Sequence, residues 1–459
     1  MELRHIPLPP APHFGERPNV PADDYAQRMD ALYAESNMDW VIVYADREHI
    51  ANTVFLCNFD PRFEEALLVL GQNGKRVLLV GNEDLDYISV VCDPALAITG
   101  VLCQSLSLMG QPRSMAPRLV DVLRGVGVAS GARVGVVGWK YLEAFEADTP
   151  TEPAFVPAMF VRALRAVVGA DGALVDVTHV LMHPTRGLKS RNSAAQLSAY
   201  AWAAAQASSA VLRIVRGARP GMSEREAARL MDYRGDPMSC HMMMVSGSAT
   251  DAPIVGLRSP SGRSLAYGDG VTTAVGYWGS LCARAGTLRG APDPSFVSSY
   301  VTPYFAAIAA WWQTLRIGVT GDEMNSAVMR ALDGAVFMPA LNPGHLIATD
   351  EWTHSPIRPG SDERIASGMA LQCDIIPSPM PAGLALNCED TVAIAGEALQ
   401  AQLRATDPAL WARIQAQRTF MREALGIVLA DEVLPLSVAC AYLPPFWLMG
   451  DWVCVNRAE

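Results

Sequence analysis

Between Ser193 and Val215 the chain is Ala-rich and contains neither Gly nor Pro, which makes one long helix. A boundary belongs just ahead of it, in Pro184 to Ser190. The chain thus divides into residues 1–185 and 186–459, and 459 residues are too many for one ordinary core.

Upstream of the boundary, helical and strand-like blocks alternate. Pro21 to Asn37 has a helical face of Tyr25, Met29, Leu32 and Tyr33, and Trp40–Tyr44 reads as a buried strand. Glu65–Leu70 and Arg76–Val80 flank Asn73-Gly74, a hairpin signal. Pro117–Arg124 and Met159–Val168 read as helices, Arg133–Gly138 and Leu174–Val177 as strands. That alternation describes an α/β domain. Downstream, Ser223-Glu-Arg-Glu226 is a capping box that starts a second helix. Cys240–Val245, Gly270–Val275, Met369–Ile376 and Leu384–Ile394 read as strands, while Ser298–Leu315 and Pro408–Leu425 read as helices.

Composition excludes several functions. The formal net charge is −11, and no long basic run is present, which argues against nucleic acid as a partner. Apolar runs are broken well short of a membrane span. Nine cysteines are scattered without a Cys-x-x-Cys pair, so the expectation is a soluble protein in a reducing cytoplasm. Met1 to Pro10 reads as an extended arm.

The densest concentration of chemistry-bearing residues is Asn342 to Pro356. It holds His345 and His354, two of only eight histidines, with the acid pair Asp350-Glu351 between them. Acids also stand inside later apolar strands, at Asp374 and at Glu389-Asp390, where burial demands a partner.

The order Arg186-Gly-Leu-Lys-Ser190, Gly268-Asp269, Gly344-His345, Gly368-Met369 and Asn387-Cys-Glu-Asp390 resembles the creatinase/aminopeptidase P superfamily. The resemblance extends over most of residues 20–400. It implies an α/β (α+β) protein: an N-terminal creatinase-like domain followed by a C-terminal pita-bread domain. It also implies a homodimer, with the first domain of one subunit near the other's active site. The peptidase branch holds two metal ions with two Asp, one His and two Glu. By the resemblance, Ala274 and Ala283 stand where the two Asp belong, His345 matches the His, Asp374 fills the first Glu place and Glu389 matches the last. A family His that assists the peptide reaction is replaced by Ile254.

A methyl group cannot coordinate a metal, so a dinuclear peptidase site is not expected. The favoured expectation is a metal-independent hydrolase or lyase that cleaves a C–N bond in a small polar nitrogen-containing substrate. His345, Asp374 and Glu389 are its expected acid–base residues. Arg284, Cys282, His241 and His354 are the expected substrate-binding residues, Arg284 through its two-pronged guanidinium. The competing readings are a peptidase with a single divalent metal on His345, Asp374 and Glu389, and a non-catalytic pita-bread domain that binds a peptide or partner.

Overall fold

A computed structural model describes residues 1–9 and 15–456. The chain falls into two compact units: Val20–Lys189, and Ser190–Glu459 together with Met1–Asn19. The N-terminal arm therefore belongs with the second unit, not with the domain that follows it in sequence. The physical reason is strand pairing, since Glu2–His5 runs antiparallel to Trp452–Val455. Residues 10–14 of the Pro-rich arm lie outside the described residues.

The first unit is a six-stranded mixed sheet in the order Thr99–Leu102, Lys75–Val80, Ala66–Gly71, Trp40–Ala45, Arg133–Val137, Ala173–Asp176. Its strands are apolar on both sides because alternate residues feed two separate cores. Val41, Val43, Leu68 and Leu70 pack with Met29 and Leu32 of the helix Ala22–Ser36. Ile42, Tyr44, Leu67 and Val69 pack with Leu123 and Leu164 from the helices Leu119–Gly125 and Ala158–Val168. The Asn73-Gly74 turn joins two antiparallel strands, as its residues predict, with both residues at positive φ.

One acid in this unit carries a measurable consequence. The Asp84 side chain is buried, and its Oδ2 has no hydrogen-bond partner. Burial, and then the charges of Glu64, Asp60 and Glu83, push its carboxyl up to about 7. A raised carboxyl pKa means that the folded state holds a proton the unfolded state has lost. Stability therefore falls as pH rises from the ordinary 3.8 toward 7. Asp84→Asn is expected to stabilise the protein by on the order of 2 kcal/mol at pH 8, with the gain vanishing below about pH 4. Urea titrations at the two pH values check this, and an equal effect at both would contradict it.

The second unit is built on a seven-stranded antiparallel sheet. Its order is His345–Leu346, Ala370–Cys373, Asn387–Ile394, Ser280–Thr287, Gly270–Tyr277, Met243–Gly247, and Val433–Pro435 also pairs with Asn387–Ile394. Ser280–Thr287 is hard to read as a strand from sequence because Ala, Gly and Arg make up much of it. The sheet forms it through pairing on both sides. The Ala-rich segment is the helix Ala194–Gly217, whose Ala203, Ala207, Ala210 and Ile214 pack on Met244, Val275 and Cys282. Its small side chains let helix and sheet approach closely. At the hairpin joining two of these strands, Gly279 has φ +103° and a Cβ there would lie 2.2 Å from Tyr200. No helix among the described residues is long and apolar enough to cross a membrane.

Candidate active site

Register decides which side chains meet. Ala283 lies opposite Ala274 on one neighbouring strand and opposite Glu389 on the other, and Met243 lies opposite Ala274. These four share one face of the sheet. The next residue along, Arg284, pairs with Thr273 and Cys388, and so points to the opposite face with Cys282. Ala283 stands directly beside Glu389 and Ala274 one strand beyond, and with Leu281, Met243 and Cys240 they form a small apolar patch.

His345 is delivered to this face by a tightly held corner. Gly344 has φ +120°, and a Cβ on it would lie 2.7 Å from the Gln372 carbonyl oxygen. Glycine is therefore required where the backbone turns into the short strand. Trp311 donates its indole N–H to the Pro343 carbonyl, and Ser355 donates its hydroxyl to the Gly344 carbonyl at 2.7 Å. Below the site, Gln372, Thr391 and Ser280 form a buried hydrogen-bonded chain that fixes three strands together.

The imidazole of His345 is fully buried. Its Nδ1 lies 3.2 Å from the Leu346 carbonyl, an acceptor, so Nδ1 carries the hydrogen and Nε2 is directed at the acids. Nε2 lies 3.2 Å from Glu351 Oε1, 4.0 Å from Asp374 Oδ2 and 4.0 Å from Glu389 Oε1. The Glu351 contact is an ion-pair approach without hydrogen-bond alignment, and Nε2 has no hydrogen-bond partner. Asp374 Oδ1 and Glu389 Oε1 are also buried and unpartnered. Unsatisfied buried atoms on three side chains that approach one another mark a place built for something else to bind.

The electrostatics agree. Burial, followed by the charges of Asp374 and Glu351, pushes the Glu389 carboxyl well above its usual range. Burial raises Asp374 to about 6 against the pull of His345. Burial also works against the charged imidazole, but Glu351 and Asp374 outweigh it and the His345 pKa is raised. The acids and the ring thus pull protons in together, as a crowded anionic site must.

Glu351 is the member that reasoning from sequence overlooked. It lies in a loop closed by Leu346 and His354, whose backbones are bridged by a 2.7 Å hydrogen bond from the Leu346 N–H. That closure folds Glu351 and Trp352 back over His345, and Trp352 stacks on the imidazole at 4.1 Å between ring centres. The acid pair Asp350-Glu351, five and six residues beyond His345, was the available signal. A short strand after Gly344 has to turn back, and the acids lie in the turn.

The expected substrate-binding residues fare differently. Arg284 is fully buried, and Asp390 takes two hydrogen bonds from it at 2.8 and 2.9 Å. Its other donors go to the carbonyls of Tyr442, Ala283 and Glu389. With its donors committed on the wrong face, it has none to offer a substrate. Cys282 lies beside it, and burial holds its thiol well above the usual range, so it is an inert core group. His241 is exposed in a loop ahead of the strand, 3.0 Å from the Leu257 carbonyl. None of its described contacts is with the His345 cluster. His354 is half-buried at the base of the loop that carries Glu351, where it closes the turn.

Two metal ions do not fit these residues. Ala283 beside Glu389, and Ala274 beside Ala283, offer this face only methyl groups, which cannot coordinate a metal. One ion does fit the donor set: atoms of His345, Glu351 and Glu389 lie within 4.8 Å of one another.

No protein-family model matches the sequence, and no curated protein sequence matches it. Solved structures do match in three dimensions. The prolidase from Pyrococcus horikoshii OT3 aligns with TM-score 0.62 at 14% identity, covering 81% of this chain and 95% of that one. The Xaa-Pro dipeptidase from Bacillus anthracis aligns with TM-score 0.60 at 17% identity, over 82% and 96%. The X-Pro aminopeptidase from Thermotoga maritima MSB8 aligns with TM-score 0.62 at 13% identity, over 92% and 98%. This chain has the creatinase-like α/β domain and pita-bread fold of those proteins. At such identities the likeness establishes fold, not activity.

Proposed function

We propose that the chain is a hydrolase that cleaves a C–N bond in a small, polar, nitrogen-containing substrate at a one-centre site. The observation that carries this reading is the meeting of three buried side chains, His345 with its Nε2 4.0 Å from both Asp374 Oδ2 and Glu389 Oε1, each of them holding a polar atom without a hydrogen-bond partner. Hydrolysis of such a bond needs a group to take a proton from water and to return it to the departing nitrogen. Asp374, 4.0 Å from the imidazole, is placed for that transfer. His345 and Glu389 flank the reacting centre, and the Ala274/Ala283/Leu281 patch offers an apolar rest for the carbon skeleton. A single divalent ion on His345, Glu351 and Glu389 would add Lewis-acid polarisation and a more acidic water. Peptide bonds are within this reaction class, and the solved relatives in fold carry the names of prolidases and Xaa-Pro peptidases.

A panel of X-Pro dipeptides, simple amides and guanidino compounds, assayed for amine release with and without divalent metal, tests the proposal. Asp374→Asn is expected to lower kcat by about 10²–10⁴-fold, with a much smaller change in KM. Failure of the wild type to release amine from any member, while still binding one of them, would favour the non-catalytic binding reading.

A further inference from the structure

We propose that Glu351 replaces the missing strand carboxylates and makes this a site for one first-row divalent cation, held by His345, Glu351 and Glu389. The proposal deepens the one-centre reading above and rests on it.

The geometry supports it at several points. The donor atoms of the three residues lie within 4.8 Å of one another. Donors about 2.0–2.2 Å from a shared ion are necessarily within roughly 4.4 Å of one another, so a small contraction closes the set. His345 is oriented as metal-binding imidazoles commonly are: the far nitrogen, Nδ1, faces a backbone carbonyl and Nε2 is left to the ion. Its Nε2 and the Glu389 Oε1 are buried without partners, which is the second, independent sign of an absent ligand. One imidazole and two carboxylates suit Mn²⁺, Fe²⁺, Co²⁺ or Zn²⁺. Asp374 remains outside the three as a further carboxylate, 4.0 Å from Nε2.

The strand positions explain why a loop residue is used. Ala274 and Ala283 offer no donor on that face of the sheet, where further carboxylates would be needed to hold a second ion. Glu351 is supplied instead by a loop, the one closed by Leu346 and His354. Its side chain keeps 32% of its exposure, so the ion would be reachable from solvent. Trp352, stacked on the imidazole, covers the remaining side of the ring.

The test measures binding directly, on the full chain stripped with chelator. Titration calorimetry with Zn²⁺ should give one ion per chain, and Co²⁺ should give a visible ligand-field spectrum. Glu351→Gln should weaken Zn²⁺ binding by more than the roughly 10–100-fold that loss of an outer-shell partner costs, and alter the Co²⁺ spectrum, while the neighbouring Asp350→Asn should change neither. Glu389→Gln should act as Glu351→Gln does. Two ions per chain, or an unchanged affinity in Glu351→Gln, would overturn the proposal. So would no binding at all. Turnover of the panel by the chelator-stripped protein separates the two ideas. Activity of the stripped protein, together with no ion bound in the titration, would retain the one-centre hydrolase and discard the ion.

Discussion

Arg284→Met is expected to destabilise the protein by about 3–5 kcal/mol, the cost of leaving a buried charge without its partner. Arg284 and Asp390 are both fully buried, and the guanidinium also donates to four backbone carbonyls, so removing it orphans Asp390 and the chain around Tyr442. The paired change Arg284→Met/Asp390→Leu should recover part of the loss, because no lone carboxylate remains. Denaturant titration of the three proteins decides the matter. A near-normal midpoint for Arg284→Met, together with weakened substrate binding, would instead restore the role in substrate recognition that the sequence suggested.

Glu389→Gln should separate stability from function. Its turnover should fall by about 10²–10⁴-fold, since the residue flanks the reacting centre. The chelator-stripped variant should nevertheless melt higher than wild type at neutral pH. Glu389 has a raised pKa, so the folded wild type loses stability as pH climbs from the ordinary carboxylate value of 4.5. Glutamine carries no such penalty. The difference should close below about pH 4, where both side chains are neutral. A variant that melts lower than wild type across the range would show that the charge of Glu389 is satisfied by something in the fold.

Much of the architecture was legible because it depends on local pattern. The helices Ala22–Ser36 and Ala194–Gly217, and the hairpin at Asn73-Gly74, follow from periodicity, propensity and turn chemistry. The helix Gly321–Ala331 is absent from the sequence reading although Thr320 and Glu323 form its capping box and Met324, Ala327 and Val328 lie buried at helical spacing. The strand Ser280–Thr287 was hidden for a physical reason. Its small residues have weak strand propensity, and only pairing with neighbours on both sides makes it a strand.

The site divides in the same way. His345, Asp374 and Glu389 could be picked out because acids and imidazoles inside apolar stretches are costly and therefore conspicuous. Arg284 looked equally suitable, and Glu351 did not. A single residue of register sends Arg284 to the far face with Asp390, and the closure of one loop carries Glu351 to within 3.2 Å of the imidazole.

The amino-acid sequence by itself determined the two-domain order, the principal helices and the presence of alanine, which cannot bind a metal, at positions 274 and 283. Those are properties of residue type and spacing along the chain. Which side chains meet at His345 was decided only by the tertiary structure. Strand register and loop closure join residues far apart in sequence, and neither is written in any local run of residues.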